Sequence, residues 1–275
     1  MRHLRCLLPL LAAALLGGCY TNPVTGRKSL VLLSQGEEVA LGAQSFQSIR
    51  QQEKVSADGG ATARVARVGG RIAAAVGDAL PDAKWEFVVF ESKQANAFAL
   101  PGGKVGVYTG LLALAESDAE LATVIGHEIG HVIARHGAER MSEAMVIAGV
   151  GALGQAVVAE KTEDERKRQL FALAYGGLTT VGRVLPHSRG NESEADRMGA
   201  IYAARAGYDP RAAVTFWRKM MAQKQGGGAA PAGSAAKLEN LLSTHPSDAK
   251  RIADLEALMP QVLPLYEQNR GRYSN

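Results

Sequence analysis

Cysteine and aromatic residues are scarce in this chain of 275 residues, which contains two cysteines and 5% aromatics. Beyond residue 18 it has no apolar run of the roughly 20 residues that a helix needs to span a bilayer. The net charge is only +4, and no stripe of lysine and arginine is interleaved with aromatic residues. These absences exclude a disulfide scaffold and a membrane-spanning domain, and they argue against a nucleic-acid partner.

The first 19 residues, MRHLRCLLPLLAAALLGGC, have the pattern of a secretory signal. Arg2 and Arg5 supply its positive charge, and the apolar segment that follows is too short to cross a membrane. The ending LGGC resembles the bacterial lipobox, so we expect residues 1–18 to be a lipoprotein signal peptide and Cys19 to carry lipid. The alternative is an ordinary signal peptide with an incidental cysteine. In both cases a metal site has to use histidine, aspartate or glutamate.

The rest of the chain predicts a mainly helical α+β domain over residues 35–275, preceded by a lipidated polar tether over residues 19–34. A helix is expected after Ser34, because Glu37 completes a capping box. KWEFVVFES and the segments around the turn PGG are rich in β-branched and aromatic residues, so they predict two or three strands. The glycine- and alanine-rich stretch 225–236 is expected to be a mobile loop.

Two more helix boundaries matter for the site. A helix is expected to begin after Ser117, where Glu120 completes a second capping box, and to end at Gly137. A final helix is predicted over residues 247–258.

The first of these helices contains HEIGH, in which two histidines stand four residues apart. His127 and His131 therefore share one helix face, and both imidazoles can bind one cation. Glu128 is turned partly off that face and can reach a water on the cation. The flanking residues are apolar, and Gly126 and Gly130 leave room for another segment to approach. The alternative is a pair of core histidines satisfied by hydrogen bonds.

A catalytic zinc site usually has three protein ligands, and SRGNESEADRMGA contains the best candidate for the third. Glu192 and Asp196 share a face of the helix predicted there. An acidic first turn near a helix N-terminus explains the same residues without a metal, and the pattern alone favours that explanation.

Together, HEIGH, SRGNESEAD and NAFALPGGKVGVYTGLL resemble the gluzincin metallopeptidases of the HtpX, BepA and LoiP kind, with the CAAX prenyl proteases as more distant relatives. The resemblance implies a zincin-like fold with a small sheet beside the HExxH helix. It also implies one zinc ion per chain, held by His127, His131 and the Glu192 of an E-x-x-A-D motif. HtpX has transmembrane helices and BepA a tetratricopeptide region that this sequence lacks, which favours the single-domain lipoprotein members.

The resemblance extends to residues around the ligands. His245, in the motif STHP, is expected to be a fourth ligand that blocks the resting site or a group that contacts the reacting carbonyl. An ordinary turn before a helix explains it equally well. Asp196 is expected to orient a ligand histidine, and Arg189 to hold Glu192 or its helix in place.

The resemblance also implies that the segment Asn96, Ala97 and Phe98 forms the edge of the cleft, where an extended substrate adds as a strand. Two other histidines are assigned no chemical role. His136 is predicted to lie on the surface, and His187 to be structural.

The lipobox, these residues and the resemblance together imply a zinc-dependent endopeptidase of the bacterial cell envelope, with Glu128 as the general base. Its expected substrates are unfolded or misassembled membrane and periplasmic proteins, which makes its role protein quality control. Tyr20 after the lipidated Cys19 favours the periplasmic face of the outer membrane. The competing functions are a non-catalytic lipoprotein with a structural zinc, which escorts outer-membrane proteins, and a small-molecule amidase.

Overall fold

A computed structural model describes residues 19–152, 165, 189–224, 245 and 249–272. The predicted signal peptide, the predicted loop 225–236 and His187 lie outside the described residues. The elements in chain order are β1 (Cys19–Thr21), β2 (Lys28–Leu30), α1 (Gln35–Gln52), α2 (Gly59–Val76), β3 (Glu86–Phe90), β4 (Ala97–Leu100), β5 (Lys104–Tyr108), α3 (Thr109–Leu112), α4 (Asp118–Ile133), α5 (His136–Ala152), α6 (Arg189–Arg205), α7 (Arg211–Lys224) and α8 (Ala249–Asn269). The predicted α+β class, mainly helical with a small sheet, is confirmed.

The three-stranded sheet has the order β3-β5-β4, with β5 parallel to β3 and antiparallel to β4. One of its faces carries an aromatic cluster in which Phe98 of β4 packs on Phe46, Phe90 and Tyr108. Gly106 lies under this cluster, and a Cβ there would come within 2.2 Å of the Phe98 ring. The opposite face packs on α4, so the sheet lies beside the helix that carries HEIGH.

Helices α4 and α6 approach each other closely because small residues face each other where they cross. A Cβ on Gly126 would lie 3.0 Å from the carbonyl oxygen of Gly199, and a Cβ on Gly130 equally close to that of Ala195. The room that the sequence predicted at Gly126 and Gly130 is therefore used by α6. This contact brings Glu192, at the start of α6, next to the histidines of α4.

Helix α4 begins where predicted, with the Ser117 side chain accepting a hydrogen bond from the Glu120 backbone N–H. The predicted capping box is only half formed, because the Glu120 side chain accepts from the backbone N–H of Glu116 instead. It ends earlier than predicted, at Ile133, and Gly137 lies inside α5. The break occurs at Arg135, which has a left-handed φ of 55° that costs energy for a residue with a Cβ. Its side chain compensates through an ion pair with the buried Glu38 and a hydrogen bond to a backbone carbonyl.

The last helix is longer than predicted, because it continues through Pro260 and Pro264 to Asn269. Each proline lacks the backbone N–H that would bond to the carbonyl group four residues earlier. Those carbonyl groups belong to Glu256 and Pro260, which are exposed and can bond to water. None of the helices in the described part of the chain is long and apolar enough to cross a membrane.

Residues 19–34, expected to be a tether, instead begin with a hairpin that packs on the domain. Its strands β1 and β2 pair antiparallel, with Cys19 opposite Leu30. The Tyr20 hydroxyl donates a hydrogen bond of 2.6 Å to the carbonyl oxygen of Ile133, at the end of α4. Asn22 is buried against α6, where its side-chain amide donates to Glu194 at 2.8 Å.

Candidate metal centre

Four buried side chains converge between α4, α6 and the segment at position 245. They are His127, His131, Glu192 and His245, and one possible ligand atom from each lies within 4.8 Å of all the others. The two Nε2 atoms of His127 and His131 are 3.0 Å apart. The Glu192 carboxylate oxygens lie 3.4 Å from Nε2 of His127 and 3.3 Å from Nε2 of His131. The helix spacing and the close crossing of α4 and α6 thus bring together the residues that the sequence suggested.

This donor set fits a zinc ion. Ligands bound at about 2.0–2.1 Å in a tetrahedron are separated by roughly 3.4 Å, close to the separations seen among His127, His131 and Glu192. Nδ1 of His245 lies 3.2 Å from both Nε2 of His127 and Oε1 of Glu192. Three imidazoles and one carboxylate without thiolate match the ligand types of zinc, and such close ring nitrogens require a proton or a cation between them.

Glu128 lies beside this cluster with one oxygen available. The side chain is buried, and its Oε1 makes no hydrogen bond to any residue that the structure describes. The same oxygen lies 3.4 Å from Nε2 of His245. Burial raises the pKa of Glu128, although His245 and His127 work in the opposite direction. A buried carboxylate with an unused oxygen is a suitable acceptor for the proton of a water in the cleft.

The charges around the cluster fix which histidine nitrogens face it. Asp196 accepts from Nδ1 of His127 at 2.8 Å, so the Nε2 atom of that ring is directed at the cluster. Burial acts to lower the pKa of His127, but Asp196 and Glu192 outweigh it and raise the pKa to about 9. Burial lowers the pKa of His131 well below its usual value. His245, His127 and His131 hold the pKa of Glu192 low against the effect of its burial, so its carboxylate is charged.

Arg251 of α8 holds the acidic residues in place, a role that the sequence assigned to Arg189. Its guanidinium is buried, lies 2.9 Å from Glu192, and donates to both oxygens of Asp196 at 2.6 and 2.7 Å. The ring of Trp217 lies beneath it, with the guanidinium carbon 4.1 Å from the ring centroid. Arg189 lies exposed at the first residue of α6, and its contact with Glu192 or with this helix stays a prediction. The sequence offered one signal for Arg251, its place six residues after His245.

The prediction that His136 lies on the surface is wrong. Its ring is fully buried, with Nδ1 at 2.8 Å from Nδ1 of His131 and Nε2 at 3.0 Å from Glu194. On a continuous helix a residue five positions after His131 would face another direction. The break at Arg135 turns His136 back towards His131, and no regular sequence pattern indicates such a break.

The proposed edge of the cleft is β4, which pairs on one side with β5 and is at the edge of the described sheet. The Tyr108 N–H donates to the carbonyl of Asn96 at 3.0 Å, and the register alternates from there. The backbone groups of Ala97 therefore point away from β5. The Phe98 side chain is buried in the aromatic cluster. All three predicted edge residues have buried side chains, at 5% exposure or less, so only their backbone could face a substrate.

The comparisons with known proteins agree with this geometry. The sequence profile described as Peptidase family M48 matches residues 60–259, which include all the ligand candidates, Glu128 and Arg251. The chain belongs to Peptidase family M48. The M48 match begins after the hairpin, so β1, β2 and α1 lie outside it.

Several characterised M48 relatives are similar over most of this chain. The mitochondrial metalloendopeptidase OMA1 of Schizosaccharomyces pombe is 36% identical over 201 residues, which are 73% of this chain and 54% of that protein. OMA1 of Arabidopsis thaliana is 40% identical over 67% of this chain and 34% of its own length. The beta-barrel assembly-enhancing protease of Escherichia coli K12 is 28% identical over 90% of this chain and 49% of its own length. The chain thus spans about half the length of the first and third of these relatives, and a third of the second.

Proposed function

We propose that this chain is a zinc-dependent endopeptidase of the bacterial cell envelope that cleaves unfolded or misassembled membrane and periplasmic proteins. The observation that carries the proposal is the buried cluster of His127, His131 and Glu192 next to Oε1 of Glu128, which makes no hydrogen bond to a described residue. A structural zinc site has no use for a base beside its first ligand, which argues against a non-catalytic escort protein.

In this proposal, His127, His131 and Glu192 hold the zinc ion. When bound, zinc supplies a Lewis acid that polarises a peptide carbonyl and lowers the pKa of a water towards about 7. Glu128 accepts the proton of the attacking water at Oε1 and passes it to the amide nitrogen as the peptide bond breaks. Arg251 and Asp196 keep Glu192 and His127 in orientation during this transfer.

His245 is assigned the role of a fourth ligand in the resting site. Its Nδ1 lies among the other donor atoms, at 3.2 Å from both His127 and Glu192. Its Nε2 faces Glu128, so the ring fills the space between the ligands and the base. We expect His245→Ala to weaken zinc binding and to raise peptidase activity at saturating zinc. Lower activity at saturating zinc would assign His245 to contact with the reacting carbonyl instead.

An extended peptide is proposed to bind along the free edge of β4. The N–H and C=O groups of Ala97 and Ala99 face that edge, because the alternate residues bond to β5. Main-chain hydrogen bonds of this kind give affinity with little side-chain selectivity, as a protease of unfolded chains needs. Ala99→Pro removes one N–H from the edge and leaves the bonds to β5, so it should raise KM more than it lowers kcat. An unchanged KM would contradict this substrate position.

The location in the envelope depends on the N-terminus and on one group of relatives. The Escherichia coli relative is named a beta-barrel assembly-enhancing protease, which supports a role in outer-membrane protein quality control. The OMA1 relatives are named as mitochondrial, so the compartment needs its own test. Metabolic labelling with a radioactive fatty acid should mark the wild-type chain in a bacterial host and leave Cys19→Ala unlabelled. Equal labelling would refute the anchor at Cys19, and membrane fractionation would then report where the chain resides.

The central experiment measures zinc content and casein degradation together. Wild type should contain one zinc ion per chain, degrade casein, and lose activity with a chelator. Glu128→Gln should retain the zinc and lose at least a hundredfold in activity, in the range expected for a general base. Glu116→Gln changes an exposed carboxylate just before α4 and should behave as wild type.

Two outcomes would contradict the proposal. Full activity in Glu128→Gln would show that another group moves the proton, and zinc loss in this variant would show that Glu128 is a ligand. If the wild type binds zinc but degrades neither casein nor peptides, the escort function is favoured. A small-molecule amidase would instead cleave amides of amino-acid size and leave casein intact.

A further inference from the structure

The hairpin formed by β1 and β2 contacts Glu194 through three side chains. Asn22 donates to Oε1 of Glu194 at 2.8 Å, the Thr25 hydroxyl also donates to Oε1, and the Arg27 Nε donates to Oε2. The other two nitrogens of the Arg27 guanidinium bind both oxygens of Glu139 on α5, at 2.7 and 2.8 Å. The proposed proton transfer uses none of these residues, although Glu194 stands two positions from Glu192.

Glu194 is connected to a ligand candidate through His136. The Glu194 Oε2 atom lies 3.0 Å from Nε2 of His136, and Nδ1 of His136 lies 2.8 Å from Nδ1 of His131. If Nε2 of His131 binds a cation, the ring proton of His131 must be on Nδ1. His131 then donates to His136, and His136 donates from Nε2 to the carboxylate of Glu194. The two hydrogen bonds, from His131 to His136 and from His136 to Glu194, each have one donor and one acceptor only if the Glu194 carboxylate accepts from His136.

We propose that the N-terminal hairpin contributes to metal binding, because it positions the ligand His131 through Glu194 and His136. This inference rests on the proposed function, because it takes His131 to be a zinc ligand. Arg27, Glu194 and His136 are positioning residues: they touch neither substrate nor metal. They fix the tautomer and the ring direction of a histidine that does.

This role differs from that of a fold clip, by which we mean a set of contacts that only stabilises the folded domain. Partners that hydrogen-bond the far nitrogen of a ligand histidine raise its basicity and fix its orientation, and losing them typically weakens metal binding by about 10–100-fold. For His127 that partner is Asp196, on α6 itself. For His131 the partner is a second histidine, whose own acceptor is held by residues 22–27 of the hairpin. Residues before the first helix thus act on His131 through Glu194 and His136.

The test compares two neighbouring cations of the hairpin in the full-length chain. Arg27→Met removes the charged one of the three donors to Glu194, together with the ion pair to Glu139, whereas Lys28→Met removes the same charge from an exposed side chain one residue away. Zinc affinity is measured by competition with a chromophoric chelator, and the protein loaded with Co²⁺ is examined by visible absorption. We expect Arg27→Met to bind zinc at least tenfold more weakly and to shift the Co²⁺ bands, and Lys28→Met to match wild type. His136→Ala should change both signals in the same direction as Arg27→Met.

A fold clip would lower the resistance to urea in the presence of chelator and leave the Co²⁺ spectrum of the folded protein unchanged. Wild-type zinc affinity and an unshifted spectrum in both Arg27→Met and His136→Ala would therefore overturn the inference while the proposed function stands. If the wild type binds no zinc, the proposed function fails first. If Arg27→Met does not fold, Thr25→Val carries the test, because it removes one hydrogen bond to Glu194 without changing the charge. It should then give a smaller shift of the same sign, and its absence would overturn the inference.

Discussion

Arg251→Met removes the one guanidinium that contacts both Glu192 and Asp196 in the described structure. The arginine is 1% exposed, and it pairs with two carboxylates that are themselves buried. Methionine keeps most of the aliphatic length that packs beside Trp217 but supplies no charge and no donor. Each carboxylate then stays in a medium of low dielectric constant without its cation.

The size of the effect follows from that burial. Removing one partner of a buried ion pair costs about 3–5 kcal/mol, because the charge left behind stays desolvated. In a domain of this size each kcal/mol lowers Tm by about 2–4 °C, so the metal-free variant should melt roughly 6–20 °C below wild type. Zinc compensates the charge of Glu192 when it binds, so we expect a smaller difference between variant and wild type in saturating zinc.

The assay is unfolding by urea and by heat, with chelator and again with excess zinc, followed by circular dichroism. Arg218→Met is the matched control, because Arg218 pairs with Glu256 between α7 and α8 while both side chains are largely exposed. Such surface pairs contribute less than about 1 kcal/mol. A loss in Arg251→Met no larger than in this control, or a loss independent of zinc, would refute the reasoning about the buried carboxylates.

Two further predictions concern the helices that position the site. Gly199→Ala places a Cβ 2.8 Å from the backbone nitrogen of His127, so it should cost about 1–3 kcal/mol in urea unfolding and weaken zinc binding. Gly70 is exposed in α2, and a Cβ there would meet no atom within 4 Å, so Gly70→Ala should instead stabilise the fold by up to about 1 kcal/mol. If both variants changed the unfolding free energy in the same direction, the packing argument would be refuted. Partial burial acts to raise the pKa of Asp118, but Arg67 and Arg64 outweigh it and lower the pKa. A lowered pKa means that the ionised Asp118 stabilises the fold at pH values above its unfolded pKa of about 3.9, and that this stabilisation is lost as the pH falls through its folded pKa. Asp118→Asn should therefore lose less stability than wild type when the pH is lowered from about 4. An unchanged slope of unfolding free energy against pH would contradict that assignment.

Local patterns predicted the parts of this molecule that depend on local physics. Ser34 and Glu37 form the expected capping box, because both of its hydrogen bonds lie within four residues. The spacing of His127 and His131 places both rings on one face of α4 for the same reason. The glycines of α4 indicated a close neighbour, and the structure shows that α6 is this neighbour.

The parts that could not be predicted depend on contacts between distant segments. Arg251 is 55 residues from Asp196 in the chain, and an arginine in a helix resembles a surface residue until its partners are known. His136 was misassigned because a helical pattern assumes continuity, whereas Arg135 breaks the helix in a conformation that its own long-range contacts stabilise. The last helix was predicted to end at residue 258, but it continues to Asn269 because its two prolines lie on the solvent-facing side, where they are tolerated.

The hairpin limits how far the domain could move away from a lipid attached to Cys19. A flexible tether would let the domain move away from the membrane, but Cys19 is paired with Leu30, and the next residue, Tyr20, is bonded to the end of α4. If Cys19 carries lipid, as we propose, no slack remains between the anchor and the domain. Substrates would then have to reach the site close to the bilayer. In the proposed function this confinement would favour membrane proteins as substrates, a selectivity that the proposed main-chain contacts to β4 do not provide by themselves.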